Sequence, residues 1–451
     1  MLRGLPLYGF VRMECSRNLA VIKALHDMAP YLLGCFIARR QDHPMSPRAT
    51  TKRRPPMTGL VLTAGGARGA YQAGVLKRIS EIKAFKRGPS PFQIIAGASA
   101  GAINGATLAC HQSNLQQGAE TLARLWGELN FDSVVRYDLP TMANTARKMV
   151  MDMALGGIIG GGRLDALMNT APLRAFLGAH MDFSSINDSI KRGHLYALAI
   201  TATGYHSGKS YTFVQGANKH PLWNKSRRVA LQTEMTLEHV CASAAIPVVF
   251  PPVPLSVNGG TAYFGDGALR LTTPLSPAIR LGATRLLAIG VRCANAADDL
   301  LRTELAQGDG VAPEHMQRPP LSQILGVFMN AIFLDHLDAD LDHLKRMNDL
   351  ISAYPPRLRG KPTHAVSEPM RIVKPLSISP SEDIAVLAKT LAHRMPRTLR
   401  YVMDGLGTPD AKSADLTSFL LFDSAFTREL IQLGYRDTAK RADEIEAFLM
   451  E

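Results

Sequence analysis

Apolar residues in this chain gather into short dense runs, separated by stretches where they recur every third or fourth position. Gly59 to Thr63 and Phe92 to Ala96 are runs of strand length, each followed by small residues and then by helical spacing, which predicts a βαβα opening. Residues 195–203 and 285–291 are further dense runs, and Met370 to Leu376 is a shorter strand candidate. Near-continuous apolar strands alternating with helical segments indicate a mostly parallel sheet covered on both faces. Helical spacing continues over residues 112–192, rather irregularly, and over Thr236 to Ser243, Leu321 to Ile351, 381–405 and 415–450. The expected fold is therefore α/β, a mostly parallel central sheet flanked by helices, with a mainly helical C-terminal extension.

Two of the predicted strand-to-helix turns carry chemistry. Gly97-Ala98-Ser99-Ala100-Gly101 has the G-x-S-x-G form, in which small neighbours let a serine hydroxyl project from a tight turn at the carboxyl edge of the sheet. The helix starting there aims free amides and its positive dipole end at the serine. The earlier turn holds Gly65, Gly66, Ala67, Arg68 and Gly69, whose backbone can approach an anion and point amides at an oxyanion beside Ser99. A third candidate is Asp266, which follows the apolar run Ala262, Tyr263, Phe264 and precedes Gly267 and Ala268. Asp-Gly is a common turn pair, but a carboxylate in this setting lies at the carboxyl end of a strand, where open α/β sheets carry their sites.

These three motifs, with the segment at residues 241–253, resemble the patatin-like phospholipases. That family has a glycine-rich oxyanion motif, a G-x-S-x-G nucleophile turn and a later Asp-Gly-Ala/Gly motif. The chain departs from it at Ala64, where the family commonly has glycine; alanine still offers its amide. The resemblance implies a lipid acyl hydrolase with a serine–aspartate dyad and no histidine, Ser99 acting as nucleophile and Asp266 as its base. Gly65, Gly66, Ala67, Arg68 and Gly69 would form the oxyanion hole, with Gly97 and Gly101 shaping the nucleophile turn and Gly267 and Ala268 the acid motif. A serine hydroxyl needs a partner to take its proton, and a carboxylate is a weak base, so the oxyanion amides and exclusion of water must supply much of the rate. The resemblance also extends, less specifically, to the C-terminal part of bacterial members.

Two other functional classes stand beside this one. An ordinary α/β-hydrolase triad would need a histidine after the acid, and His315, His336, His343, His364 and His393 are available. The other is a nucleotide- or lipid-binding module without catalysis, of which nucleotide-type phosphate binding is poorly supported, because residues 64–69 miss the first glycine of G-x-G-x-x-G and no G-K-[ST] follows.

Charge adds a division of the chain. Residues 1–56 hold ten Lys or Arg against three Asp or Glu, about half of the chain's net +13. This is either a basic arm for anionic lipid surfaces or, preferably, an unstructured extension or the product of too early a start codon, since Met57 precedes the first strand. The expected organisation is this extension, a catalytic domain over 57–293, a linker rich in Ala, Asp, Gly and Pro over 294–320, and helical residues 321–451 packed on the catalytic domain. Apolar residues 28–38 are too short to span a bilayer, so a cytoplasmic protein, at most peripheral to a membrane, is expected. Its partners would be a lipid or acyl-ester substrate and an anionic membrane surface, with no nucleic acid.

Cys15, Cys35, Cys110, Cys241 and Cys293 form no C-x-x-C pair and fit buried apolar positions in a reducing compartment. No cofactor or metal is expected; Asp338, Asp340 and Asp342, with His336 and His343, read as the solvated face of a helix. Residues 149–162, rich in Met and Gly, read either as a mobile lid or as a core helix and loop. Pro251 and Pro252 read either as a wall of the site opposite the glycine-rich turn or merely as the end of a helix.

Overall fold

β1 (Thr58–Leu62) is apolar along its length and buried on both faces, and it forms the middle of a mixed sheet. The computed structural model describes residues 56–136, 168–293, 321–353, 371–405 and 414–451, with Arg147 in isolation. The expectations for residues 1–55, 149–162 and 294–320, and those for His315 and His364, lie outside the described residues. After β1 come a 3-10 turn (Gly66–Gly69) and α1 (Ala70–Ser80); β2 (Ile94–Ala98) leads directly into α2 (Ala100–Cys110). Next are α3 (Leu115–Glu128), capped by Asn114 Oδ1 accepting from the Gln117 amide at 3.1 Å, and α4 (Ala171–His180).

β3 (Ala197–Gly204), β4 (Lys209–Gly216) and β5 (Arg228–Gln232) extend the sheet on one side, and α5 (Leu237–Ser243) follows. β6 (Val253–Val257) and β7 (Gly260–Gly265) then form a hairpin that joins β3 through β7. The chain continues through α6 (Ser276–Leu281), β8 (Arg285–Ile289), α7 (Leu321–Phe333), α8 (His336–Ala353) and β9 (Lys374–Ile378). It closes with α9 (Ile384–Leu391), α10 (Ala414–Leu420) and α11 (Ser424–Lys440), followed by the short terminal helix.

The strand order is β5-β4-β3-β2-β1-β8-β9. The pairs β1–β2, β1–β8, β2–β3, β4–β5 and β8–β9 are parallel, while β3–β4, β3–β7 and β6–β7 are antiparallel, so the sheet is mostly parallel as the apolar runs imply. The strands β4, β5 and β6 are the part that the dense-run pattern underreads, because their apolar residues alternate or stand next to polar ones. The β6–β7 turn does carry a local signal: Asn258 and Gly259 both have positive φ, 51° and 80°, the conformation that favours Asn-Gly in two-residue hairpins.

Side chains alternate across the sheet and build a core on each face. Leu60 and Leu62 of β1 join Tyr71, Leu76, Trp126 and Phe426 on one face, whereas Val61 joins Ile94, Leu281, Leu286 and Leu341 on the other. The C-terminal region is built into this frame rather than laid upon it: β9 pairs with β8, and α11 packs along α1. One expectation is corrected here. Asp340 is not on a solvated face; it is buried, and its Oδ2 accepts the Leu275 amide at 2.9 Å just ahead of α6. Position on the outside of an isolated helix is overridden because α8 lies against the sheet, where a carboxylate is kept by a backbone donor.

Cys110 and Cys293 are buried and Cys241 half-buried, all three as free thiols. Among the described residues no helix is long and apolar enough to cross a membrane, and no group of three or more His, Cys, Asp or Glu could hold a metal ion.

Candidate active site

Ser99 stands between β2 and α2 with φ 55° and ψ −125°, a strained backbone for a residue with a side chain. The strain is held by close packing around it. A Cβ at Gly101 would lie 2.1 Å from the Leu62 carbonyl oxygen, and one at Gly97 would lie 2.2 Å from the carbonyl oxygen of Gly101, so both flanking positions must be glycine. The Ser99 amide donates to Ser243 Oγ at 3.0 Å, and that hydroxyl donates in turn to the Thr201 carbonyl at 2.5 Å. Ser243 thus fixes the turn from α5.

Asp266 reaches Ser99 through the sheet. β2 and β3 run in parallel with Ala98 beside Thr201, and β7 pairs antiparallel to the end of β3, with Gly265 beside Thr203. The next residue is therefore delivered to the carboxyl edge of β2. Its backbone is pinned on both sides: the Asp266 amide donates to the Ala245 carbonyl at 2.8 Å, and Thr203 Oγ1 donates to the Asp266 carbonyl at 2.8 Å. Its carboxylate accepts the Ala268 amide on Oδ1 at 2.9 Å and the Ser99 hydroxyl on Oδ2 at 2.6 Å. Ser99 is 2% exposed and Asp266 0%, so the pair is shielded from bulk water. A carboxylate in direct contact with a serine hydroxyl can accept its proton as the oxygen attacks. Burial pushes the Asp266 carboxyl up to about 7, against the opposing pull of the hydrogen bonds from Ser99 and Ala268.

The glycine-rich turn lies alongside. Gly66 has φ 56°, and a Cβ there would meet the Phe419 carbonyl oxygen at 2.4 Å. The amides of Gly66 and Ala67 open the 3-10 turn, where the first N–H groups have no intrahelical acceptor. The Arg68 amide is already used, donating to the Gly65 carbonyl at 3.1 Å. The Arg68 side chain turns into the C-terminal region: Nε donates to Ser418 Oγ at 2.7 Å, Nη2 pairs with Asp415 Oδ1 at 2.8 Å, and the guanidinium lies 4.5 Å from the Phe419 ring centroid. Arg68 and Gly69 therefore hold the loop, and Gly69 packs against Ala100 and Trp126.

Gly66 and Ser99 face the same narrow cavity, of about 30 Å³, walled by apolar residues that include Ile103, Leu125, Leu177, Phe250 and Phe422. A second cleft of about 250 Å³ shares Leu173, Ala244 and Phe250 with it and is bordered by Pro251 and Pro252. The family model described as patatin-like phospholipase matches residues 60–279, a span that starts in β1 and contains all three turns. This chain carries a patatin-like phospholipase domain. The patatin-like span ends in α6, so Phe419, Phe422, Asp415 and Ser418, which support or line the site, lie beyond it.

No curated protein matches the chain. Among solved structures it is similar to VipD from Legionella pneumophila, with 14% identity over 84% of this chain and 67% of that one and a TM-score of 0.28. It is also similar to human GIVD cytosolic phospholipase A2 in complex with methyl gamma-linolenyl fluorophosphonate, with 14% identity, 88% and 59% coverage and a TM-score of 0.40. A third is full-length ExoU, in complex with SpcU, from the type III secretion system of Pseudomonas aeruginosa, with 14% identity, 80% and 70% coverage and a TM-score of 0.25. The chain thus spans only about three fifths of the human protein, and these scores are too low to carry an activity across.

Of the described histidines, His393 is exposed and contacts the Thr390 carbonyl, His343 is exposed on α8, and His336 lines a separate cavity behind the turn with Leu62 and Gly97. None of the three hydrogen-bonds to Asp266 among the described residues, and both carboxylate oxygens are already engaged. Sequence reasoning missed Ser243 and Asn104. Asn104 Nδ2 donates to the Gly69 carbonyl at 3.0 Å and Gln72 Oε1 at 2.8 Å, while its Oδ1 accepts from Trp126 Nε1 at 2.7 Å, tying the glycine-rich turn to α2. Its signal was a lone amide in a helix otherwise made of small and apolar residues.

Proposed function

We propose that this protein is a serine lipid acyl hydrolase working through a Ser99–Asp266 dyad. The observation that carries the reading is the 2.6 Å hydrogen bond from Ser99 Oγ to Asp266 Oδ2, made at a strained strand-to-helix turn that opens on an apolar cavity. Ser99 Oγ attacks the ester carbonyl carbon as its proton passes to Asp266. The oxyanion is met by the leading amides of the glycine-rich turn, Gly66 and Ala67. Collapse expels the alcohol, which takes the proton back from Asp266; a water then attacks the acyl-serine, yielding its proton to Asp266, and the second collapse frees the fatty acid as Asp266 returns that proton to Ser99 Oγ. The apolar walls favour an acyl chain over a polar group, and because the clear space is only about 30 Å³ they must part to admit one.

Direct contact between the two side chains favours the dyad over a histidine triad, and the strained Ser99 backbone favours catalysis over passive binding. A fluorophosphonate probe with an alkyl chain tests the reading: it should label the chain once, and peptide mass spectrometry should place the adduct on Ser99. Absence of labelling in folded protein, or an adduct elsewhere, overturns the nucleophile assignment.

Acidity follows from the same burial. Asp266 must be ionised to act as a base, so kcat/KM for a soluble ester should fall about tenfold per pH unit below about 7 and level off above it. A flat profile from pH 5 to 8 would sink the assignment of Asp266 as base. The stability linkage has the opposite sense: the folded value lies above that of an unfolded carboxyl, so Asp266's contribution is full below about pH 4 and is lost as pH rises through about 7.

A further inference from the structure

Two buried side-chain amides grip the glycine-rich turn, one at each end. At its start, Gln72 Nε2 donates to the Thr63 carbonyl at 3.0 Å and, also at 3.0 Å, to the carbonyl of Ile289, where β8 ends. At its close, Asn104 Nδ2 donates to the Gly69 carbonyl at 3.0 Å. The two amides meet, Asn104 Nδ2 donating to Gln72 Oε1 at 2.8 Å, and Trp126 Nε1 donates to Asn104 Oδ1 at 2.7 Å. Thr63 is tied to the same strand end, its Oγ1 donating to the Ile289 carbonyl at 3.3 Å. Gln72 and Asn104 are both 0% exposed.

The network admits one arrangement. An indole nitrogen only donates and a backbone carbonyl only accepts, so Trp126 fixes the side on which Asn104 carries its oxygen, and Gly69 fixes its nitrogen. The same logic turns the Gln72 nitrogen towards Thr63 and Ile289. Both N–H bonds of each amide then have an acceptor, and each amide oxygen has a donor. Burying primary amides costs free energy unless they are paired in this way, and apolar side chains of the same shape would do as well for stability alone. What the pairing adds is a fixed position for the two carbonyls that bracket the turn. Four elements converge on them: α1 through Gln72, α2 through Asn104, α3 through Trp126 and β8 through Ile289. Trp126 also packs on Gly69, where an added Cβ would lie 2.9 Å from its Cζ2, and it walls the cavity that Gly66 and Ser99 face.

We infer that Gln72 and Asn104 are positioning residues that aim the Gly66 and Ala67 amides at the oxyanion. The inference rests on the hydrolase reading, in which those amides meet the charge that develops on the ester carbonyl oxygen. Neither side chain lines the Ser99 cavity, so both act through the backbone they hold. With Thr63 and Gly69 fixed, the amides between them keep their direction and need no reorganisation as the charge forms. Their contribution therefore appears when the tetrahedral centre is made, not when the ester binds.

Two ketones with the same alkyl chain separate these stages in the full chain. A trifluoromethyl ketone accepts Ser99 Oγ on its carbonyl carbon; the hydroxyl proton passes to Asp266 and the carbonyl oxygen becomes the oxyanion. The matching methyl ketone occupies the cavity without that addition. In Gln72→Met and in Asn104→Ala, the trifluoromethyl ketone should inhibit about 10–100-fold more weakly, and kcat for a soluble ester should fall by a similar factor. KM and inhibition by the methyl ketone should stay within about twofold. Folded variants in which both ketones weaken alike, or neither weakens, overturn the proposal and leave the hydrolase reading standing. If the unaltered protein binds the trifluoromethyl ketone no more tightly than the methyl ketone, the hydrolase reading fails and the proposal falls with it. Should the variants not fold, a crystal structure of the unaltered protein's adduct decides. The former carbonyl oxygen must lie within hydrogen-bond distance of the Gly66 or Ala67 amide while Gln72 and Asn104 keep Thr63 and Gly69, and loss of either feature overturns the proposal equally.

Discussion

Ser99→Ala abolishes ester cleavage, lowering kcat by at least about 10⁴-fold, because no other hydroxyl replaces the nucleophile. Asp266→Asn lowers it by about 10²–10⁴-fold, the range expected when a positioned base is removed. The amide keeps the shape of the carboxylate and can still accept one of its two hydrogen bonds, from Ala268 or from Ser99, but it cannot take the proton at neutral pH. Both variants should remain folded. His336→Ala and His393→Ala should leave kcat within about twofold. Measured on one soluble ester, full activity in either dyad variant ends the dyad reading, and loss of activity at one histidine with folding intact revives the triad.

Gly101→Ala should destabilise the protein by about 3 kcal/mol or more, or leave it insoluble, because an unavoidable clash with backbone is among the few mechanisms that cost this much. The added methyl would sit 2.1 Å from the Leu62 carbonyl oxygen, with Thr63 O at 2.8 Å. Neither neighbour is the loose end of a side chain; both belong to β1 and its exit, so relief requires α2 to move away from the sheet and Ser99 away from Asp266. Gly88→Ala is the control, since nothing lies within 4 Å of its added Cβ, and its stability should change by no more than about 0.5 kcal/mol. Chemical denaturation of both variants is the measurement. Equal stability at positions 88 and 101 would mean that the helix does not cross the strand as closely as described.

These two results bear on one design. The sheet brings the carboxylate to the hydroxyl, and the close approach of α2 to β1 holds the hydroxyl there. A third support comes from the C-terminal region, through Arg68 with Asp415 and Ser418 and through Phe422 in the cavity wall. The matched family span thus contains both Ser99 and Asp266, while residues beyond it close the surroundings.

What the sequence determined by itself was local. The βαβα opening, the glycines around Ser99 and the strand before Asp266 follow from apolar periodicity and from turn positions that only small residues tolerate, and both act within a few residues of one another. Only the tertiary structure decided what meets across the chain. Ser99 and Asp266 are 167 residues apart, and Arg68 and Asp415 are 347 apart; Ser243 became a support and Asp340 a buried acceptor solely because of what packed against them. The reason is physical: periodicity records which face of an element avoids water, but not which other element covers that face, and a polar side chain's partner is settled by that covering.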